Sequence, residues 1–221
     1  MASSEFELKI STINYIVRRY RLLDDTILIH EFSNGKCGAR ADIALRSNNL
    51  LYAFEVKSAR DSLRRIGKQI EIYKKYFDHV VIIVDETHVN NAIEICKSSN
   101  TTLLRYKNNR ITAVVKGDSK RISNEFIKQN MIPPKLSNEN KNKPARDVLN
   151  NIITNKYHKN LDLTQRIFEK REIEHEDLLL LNPHFVVRAE KRRLSELRAN
   201  KWSLFAEDIT SRQTNHPRSA Y

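Results

Sequence analysis

Two carboxylates and a lysine stand on neighbouring apolar segments, and their types suit metal-dependent chemistry. Asp42 lies within residues 40–46 (RADIALR), and Glu55 and Lys57 lie within residues 50–57 (LLYAFEVK). Mg²⁺ prefers oxygen ligands and usually meets one or two carboxylates together with substrate phosphate oxygens. A lysine beside such an ion could orient or deprotonate a water, or stabilise charge on the phosphate. The residue types therefore predict metal-assisted hydrolysis of phosphodiester bonds.

These three residues come together if the two segments pair as an antiparallel hairpin. The intervening Asn48–Asn49 suits a two-residue turn, because asparagine tolerates the positive φ that this turn needs. Counting outward from the turn places Asp42 opposite Glu55, with Cβ atoms about 4.5–5.5 Å apart on one face. Lys57 shares that face because side chains alternate along a strand. The alternative is an exposed hairpin, in which both carboxylates face solvent and Glu55 and Lys57 form a solvated pair.

The elements around this hairpin indicate a mixed α/β sheet flanked by helices. Ser4 and Glu7 have the spacing of a capping box at the start of a helix over residues 4–20. The continuous apolar run at 79–84 is typical of a buried central strand. Apolar patterning predicts further elements along the chain, namely strands at 26–32, 39–46 and 50–58, helices at 61–77 and 90–99, and a hairpin at 101–116. This order predicts the α/β class.

A change of composition divides the chain. Residues 133–144 (PPKLSNENKNKP) are polar and bracketed by prolines, which is typical of a linker or long loop. We therefore expect a core at residues 1–132, a linker at 133–144 and a mostly helical C-terminal extension at 145–221.

Composition narrows the class of protein. The chain has 221 residues with a formal charge of +12, which favours an anionic partner such as nucleic acid. Its 4 glycines cannot build either glycine-rich nucleotide-binding loop, and its 2 cysteines are too few for a disulfide framework or a zinc site. No apolar run approaches the roughly 18 residues of a membrane span, and the N-terminus lacks a signal-peptide layout. We expect a cytoplasmic protein with no membrane partner.

Several motifs together resemble the PD-(D/E)xK, or restriction-endonuclease-like, nuclease superfamily. Asp42 is followed after twelve residues by Glu55-Val56-Lys57, and the next predicted helix carries Gln69 and Tyr73. More narrowly, the pattern is similar to the sce7726 family of bacterial and phage proteins, through five short motifs at RAD (40–42), FEVKS (54–58), DSLRR (61–65), QIEIY (69–73) and FD (77–78). The resemblance covers about residues 31–85, and Ala41 replaces the proline of the superfamily name.

The resemblance implies a restriction-endonuclease-like core that acts as a Mg²⁺- or Mn²⁺-dependent (endo)nuclease on DNA. Asp42 and Glu55 would bind the metal, the Val56 carbonyl would add a ligand, and Lys57 would be catalytic. Gln69 would face the active site, where its amide could bond a phosphate or a catalytic carboxylate. Related nucleases often supply another carboxylate from upstream, so Glu31 is a further candidate ligand; the alternative is a strand-end carboxylate in solvent.

Contacts with nucleic acid are expected from residues beside the catalytic set. Arg40, Arg64 and Lys68 could meet phosphates, and the alternative for the two helix residues is an ordinary solvated face. Tyr73 could also reach nucleic acid, although it fits the apolar stripe of its helix and so could be a core aromatic. For the whole protein, the alternative function is a catalytically inactive nucleic-acid-binding or protein-interaction module with the same fold. The sce7726 likeness adds an expected origin in a phage or mobile element.

Overall fold

Six apolar segments pair as strands of one sheet in the computed structural model of the chain. The described residues are 4–33, 38, 40–182, 185, 187–188, 191–198 and 201–203. The strands are β1 (Ile27–Phe32), β2 (Ala41–Ser47), β3 (Leu50–Lys57), β4 (His79–Asp85), β5 (Thr102–Lys107) and β6 (Arg110–Val115). They lie side by side in chain order, and β3–β4 and β4–β5 are parallel whereas the other pairs are antiparallel. The predicted mixed sheet is confirmed.

The β2–β3 hairpin has the predicted register. Asn48 and Asn49 have φ values of 52° and 60°, as the two-residue turn requires, and Ser47 pairs with Leu50. The Asp25 carboxylate accepts hydrogen bonds from the backbone N–H groups of both asparagines, at 3.0 and 2.8 Å. The ladder continues outward in step, so the strand faces alternate as expected from the sequence.

Eight helices, all within residues 4–182, cover the two faces of the sheet. They are α1 (Glu5–Arg19), α2 (Ile66–Tyr76), α3 (Val89–Ser98), α4 (Asn124–Asn130), α5 (Pro134–Glu139), α6 (Ala145–Lys156), α7 (Lys159–Lys170) and α8 (His175–Leu180). Buried side chains of α2, α3, α4 and α6 share one core with the sheet, and those of α1, α7 and α8 share the other. None of these helices, nor any other described helix, is both long and apolar enough to cross a membrane.

Local signals explain where the helices next to the site begin. The predicted capping box starts α1, since Ser4 Oγ accepts from Glu7 N at 3.2 Å and Ser4 N donates to Glu7 Oε2 at 2.9 Å. A 3₁₀ turn at Leu63–Arg65 leads into α2, and Ser62 caps it by accepting from Arg64 N. These caps fix the starts of the two helices that contribute side chains to the candidate site.

The predicted boundary between core and extension differs from the observed one. The chain divides into units at residues 1–182 and 183–221, and the segment 133–144 contains α5. The polar composition of that segment reflects a short, mostly exposed helix that packs only Leu136 against the core. Because α6, α7 and α8 complete both cores, they are part of the sheet's own unit. In the second unit the described residues 191–198 and 201–203 are helical.

Candidate active site

Glu55 is the most enclosed acidic side chain of the predicted set. It is 3% exposed in β3, yet it accepts from three side chains. Lys57 Nζ and Gln69 Nε2 each lie 2.6 Å from Oε1, and the Tyr73 hydroxyl lies 2.7 Å from Oε2. The structure therefore brings together Glu55, Lys57, Gln69 and Tyr73. The spacing of four residues on α2 explains why the amide and the phenol reach the same carboxylate.

Tyr73 is a core residue. Its side chain is fully buried, and its hydroxyl also contacts the Arg40 carbonyl oxygen at 2.7 Å. A buried ring favours the alternative of a core aromatic, and contact of this residue with nucleic acid stays a prediction. Its position instead fixes the orientation of the Glu55 carboxylate, because buried polar groups keep their hydrogen-bond partners.

Asp42 lies beside Glu55 near the N-terminal end of β2, one residue beyond the last pair of the β2–β3 ladder. Its Oδ2 accepts from Val56 N at 2.8 Å, and its Oδ1 lies 3.3 Å from Lys9 Nζ. Burial and the charge of Glu55 raise the pKa of the Asp42 carboxyl, although Lys9 acts in the opposite direction. The raised pKa indicates that the two carboxylates repel each other in a poorly solvated place.

Lys9 joins the site from α1, and sequence reasoning missed it. Its ammonium lies 2.7 Å from Glu5 Oε1 and 2.9 Å from Glu31 Oε1, in addition to the contact with Asp42. Burial disfavours the charged lysine, but the carboxylates outweigh it and hold the pKa of Lys9 above its usual range. The spacing of Glu5 and Lys9 is a common helix pair, and a charge within an otherwise apolar helix face was the only available signal.

Glu31, the expected upstream carboxylate, does reach the site. Its second oxygen accepts from Arg40 Nε at 2.7 Å, so the guanidinium and Lys9 hold the two oxygens. The backbone of Glu31 has φ 59°, in the left-handed region that non-glycine residues rarely adopt. Burial acts against ionisation, but Lys9 and Arg40 lower the pKa of Glu31 overall. Glu31 is thus an ionised carboxylate that lies close to Asp42.

His30 is a residue of β1 and lies next to Glu31. Its Nδ1 lies 3.0 Å from the Leu178 carbonyl oxygen, and its Nε2 lies 3.6 Å from Glu31 Oε1. The Nε2 atom is buried without a hydrogen-bond partner among the described residues. Burial, and then the charge of Lys9, lower the pKa of His30 to about 4, so the imidazole is neutral at pH 7.

The residues that are expected to contact phosphates have exposed side chains. Arg64 in the 3₁₀ turn and Lys68 on α2 are both exposed, and no ion pair involves them in the described part of the chain. Arg40 is 61% exposed although it pairs with Glu31. These three cations are accessible to a ligand, and their contact with nucleic acid stays a prediction.

Comparison with known proteins places the chain in a phage family. It is 13% identical to a solved protein of unknown function from Silicibacter pomeroyi, SPO1766, over 58% of this chain and 84% of that one, with a TM-score of 0.42. It is 40% identical to protein cII of Enterobacteria phage P4 over 79 residues, which are 36% of this chain and 29% of that protein. A family model described as Bacteriophage P4 protein cII matches residues 1–137, a range that holds every side chain of the candidate site. Since that match spans more than half of the 221 residues, the chain belongs to the Bacteriophage P4 protein cII family.

Proposed function

We propose that this chain is a divalent-metal-dependent nuclease that hydrolyses phosphodiester bonds in DNA. The observation that carries the proposal is the environment of Glu55, a buried carboxylate next to Asp42 that accepts from Lys57 and Gln69. Two carboxylates and a lysine on adjacent strands, with a polar helix side chain directed at them, make up the set expected from the PD-(D/E)xK resemblance. We extend the proposal to a restriction-endonuclease-like fold, supported by the β2–β3 hairpin and the helix α2 that carry this set, and by the parallel strand β4 that follows them.

The donor set suits Mg²⁺ or Mn²⁺. Asp42 and Glu55 provide hard oxygen ligands, and the Val56 carbonyl directly follows Glu55 in the sequence. The raised pKa of Asp42 indicates a carboxylate whose charge lacks full compensation, and a cation between the two groups would supply it. The buried Oε1 of Gln69, which has no hydrogen-bond partner among the described residues, is a further acceptor here. When bound, the ion would provide positive charge against the phosphate oxygens and lower the pKa of a water.

The chain's own residues have separate tasks under this proposal. Lys57 holds an ammonium at 2.6 Å from Glu55, where it can orient a water or stabilise charge on the phosphate. Gln69 and Tyr73 keep the Glu55 carboxylate in one orientation, which a metal ligand needs. Arg64 and Lys68 are exposed near the start of α2 and would hold the DNA backbone by contacts to its phosphates.

The test is cleavage by the purified full chain in Mn²⁺, with single-stranded, duplex and branched DNA and RNA as substrates. Asp42→Ala and Lys57→Gln should each lower the cleavage rate by about 10²-fold or more, while circular dichroism stays unchanged. Glutamine at position 57 keeps a hydrogen-bond donor and removes the charge. Glu71→Gln, an exposed carboxylate on α2, is the matched control and should cleave normally. Absence of cleavage on every substrate would contradict the proposal.

A second candidate is a nucleic-acid-binding module without turnover. One observation favours it: the carboxylates around Asp42 are already neutralised from within the chain, by Lys9 and Arg40. Such a module should bind DNA equally well in Mn²⁺ and in a chelator, and Asp42→Ala should not change its affinity. The nuclease should instead bind DNA more tightly in the presence of an ion than in the chelator.

A further inference from the structure

The ammonium of Lys9 occupies the centre of an acidic cluster. Glu5, Glu31 and Asp42 each place an oxygen at 2.7, 2.9 and 3.3 Å from Nζ, and one oxygen of each lies within 4.8 Å of the other two. The lysine side chain is only 6% exposed. Three carboxylates face one ammonium, and the exposed guanidinium of Arg40 pairs with the second oxygen of Glu31, so the cluster holds more positive charge than an ordinary surface pair.

His30 provides an independent reason to regard this cluster as a cation site. A carbonyl oxygen can only accept, so the contact with Leu178 places the hydrogen of the neutral imidazole on Nδ1 and leaves a lone pair on Nε2. That Nε2 is buried, has no hydrogen-bond partner among the described residues, and lies 3.6 Å from a Glu31 oxygen. The His30 side chain is 9% exposed. A backbone carbonyl on one ring nitrogen with the other free is the arrangement that orients metal-binding histidines.

We propose that Glu5, His30, Glu31 and Asp42 form a second cation position next to the nuclease centre, and that Lys9 permanently fills it. The inference rests on the proposed function and adds the number of ions that the centre takes. A lysine in this position supplies the second positive charge from the chain itself, so the wild-type protein needs one divalent ion, at Asp42 and Glu55. Lys9 is a positioning residue under this assignment, since it holds Glu31 and Asp42.

This assignment predicts that removal of the lysine opens a metal site. Alanine at position 9 leaves the donors in place and frees the volume of the ammonium. Three carboxylates and one imidazole nitrogen are a donor set that Mn²⁺ accepts. The prediction concerns the chain's own donors and can be tested without measuring cleavage.

The experiment counts and locates Mn²⁺ in wild type and Lys9→Ala. Free Mn²⁺ is measured by electron paramagnetic resonance during titration of the full chain, and anomalous scattering from Mn²⁺-soaked crystals gives the positions. We expect one ion in wild type and two in Lys9→Ala, the second within bonding distance of His30 Nε2. The control is Lys9→Ala/His30→Asn, because the asparagine Nδ2 can still donate to Leu178 while Nε2 is lost. It should keep the first ion and bind the second at least about tenfold more weakly.

Each outcome separates this inference from the proposed nuclease centre. Two ions in wild type, or a single ion in Lys9→Ala that lies at Asp42 and Glu55, would overturn the inference and leave the first metal site standing. No ion in wild type with one at the His30 position in Lys9→Ala would overturn the nuclease centre and support the inference. No ion in either protein would count against both. If Lys9→Ala does not fold, Lys9→Ala/Glu5→Gln removes the excess charge and keeps His30, Glu31 and Asp42 as donors.

Discussion

Arg146 donates from both terminal nitrogens to the carboxylate of Asp78, with each N–O distance 2.8 Å. The side chains are 7% and 0% exposed. Asp78 precedes β4 and also accepts from the backbone N–H groups of Leu51 and Ile122. The pair therefore ties α6 to the centre of the sheet, 68 residues earlier in the chain. Helix α6 is therefore held to the same charged group as β3, the strand that carries Glu55.

Loss of this pair should destabilise the protein strongly. Arg146→Ala leaves the Asp78 carboxylate buried and unpaired, which costs about 3–5 kcal/mol of unfolding free energy. Urea denaturation followed by circular dichroism measures the loss. The matched control is Lys170→Ala, which breaks an exposed pair with Glu174 and should cost at most about 1 kcal/mol. Equal effects of the two substitutions would contradict the role given to Arg146.

Truncation should show where the folding unit ends. A fragment of residues 1–132 lacks α6, α7 and α8, exposes apolar side chains on both sheet faces and leaves Asp78 without its arginine. We expect that fragment to lack a cooperative unfolding transition, and a fragment of residues 1–182 to retain one. Cooperative unfolding of residues 1–132 would instead support the predicted domain boundary at the polar segment 133–144.

The metal-free site should lose stability as pH rises. The pKa of Asp42 is raised to about 7 in the folded chain, from about 3.9 in an unfolded one, by burial and by Glu55. Between these values the folded state keeps a proton that the unfolded state has lost, so the free energy of unfolding falls by at most about 1.4 kcal/mol per pH unit. Asp42→Asn should thus gain stability relative to wild type from about pH 4 to 7, and hold that gain above it.

That comparison is made in a chelator by urea denaturation at several pH values. Asp162→Asn, which changes an exposed carboxylate on α7, is the control and should show a constant difference from wild type. A constant difference for Asp42→Asn as well would show that Asp42 is ionised normally in the folded protein.

Cys96 should be chemically protected until the protein unfolds. Its side chain is fully buried in α3, and burial raises the pKa of the thiol to about 11. Because the thiolate is the reactive form, modification by a disulfide reagent at pH 8 should be slow in the folded chain and fast in denaturant. The measurement uses a Cys37→Ser variant, since Cys37 lies outside the described residues. Rapid labelling without denaturant would contradict the observed burial.

The parts of the site that the sequence predicted correctly depend on short-range rules. The turn at Asn48–Asn49 sets the register of β2 and β3, and that register brings Asp42 next to Glu55. The four-residue spacing on α2 directs Gln69 and Tyr73 toward the same carboxylate. Turn preference and side-chain periodicity are local properties, so both can be predicted from a single sequence.

The parts that were missed depend on packing between distant segments. Lys9 reaches Asp42 only because α1 crosses the sheet at one particular place, and no spacing in the sequence encodes that crossing. Arg146 resembles any surface arginine until α6 is placed over Asp78. The polar segment at 133–144 was interpreted from composition, which does not distinguish a linker from an exposed helix.

The left-handed backbone of Glu31 sets stability against function at a single position. Glycine adopts φ 59° without the cost of about 1–3 kcal/mol that another residue pays. Glycine also removes the carboxylate that faces Lys9 and Arg40. Two different screens of a library randomised at this position would therefore enrich different residues. Selection for heat resistance would enrich glycine, whereas selection for whatever the acidic cluster does would enrich an acid.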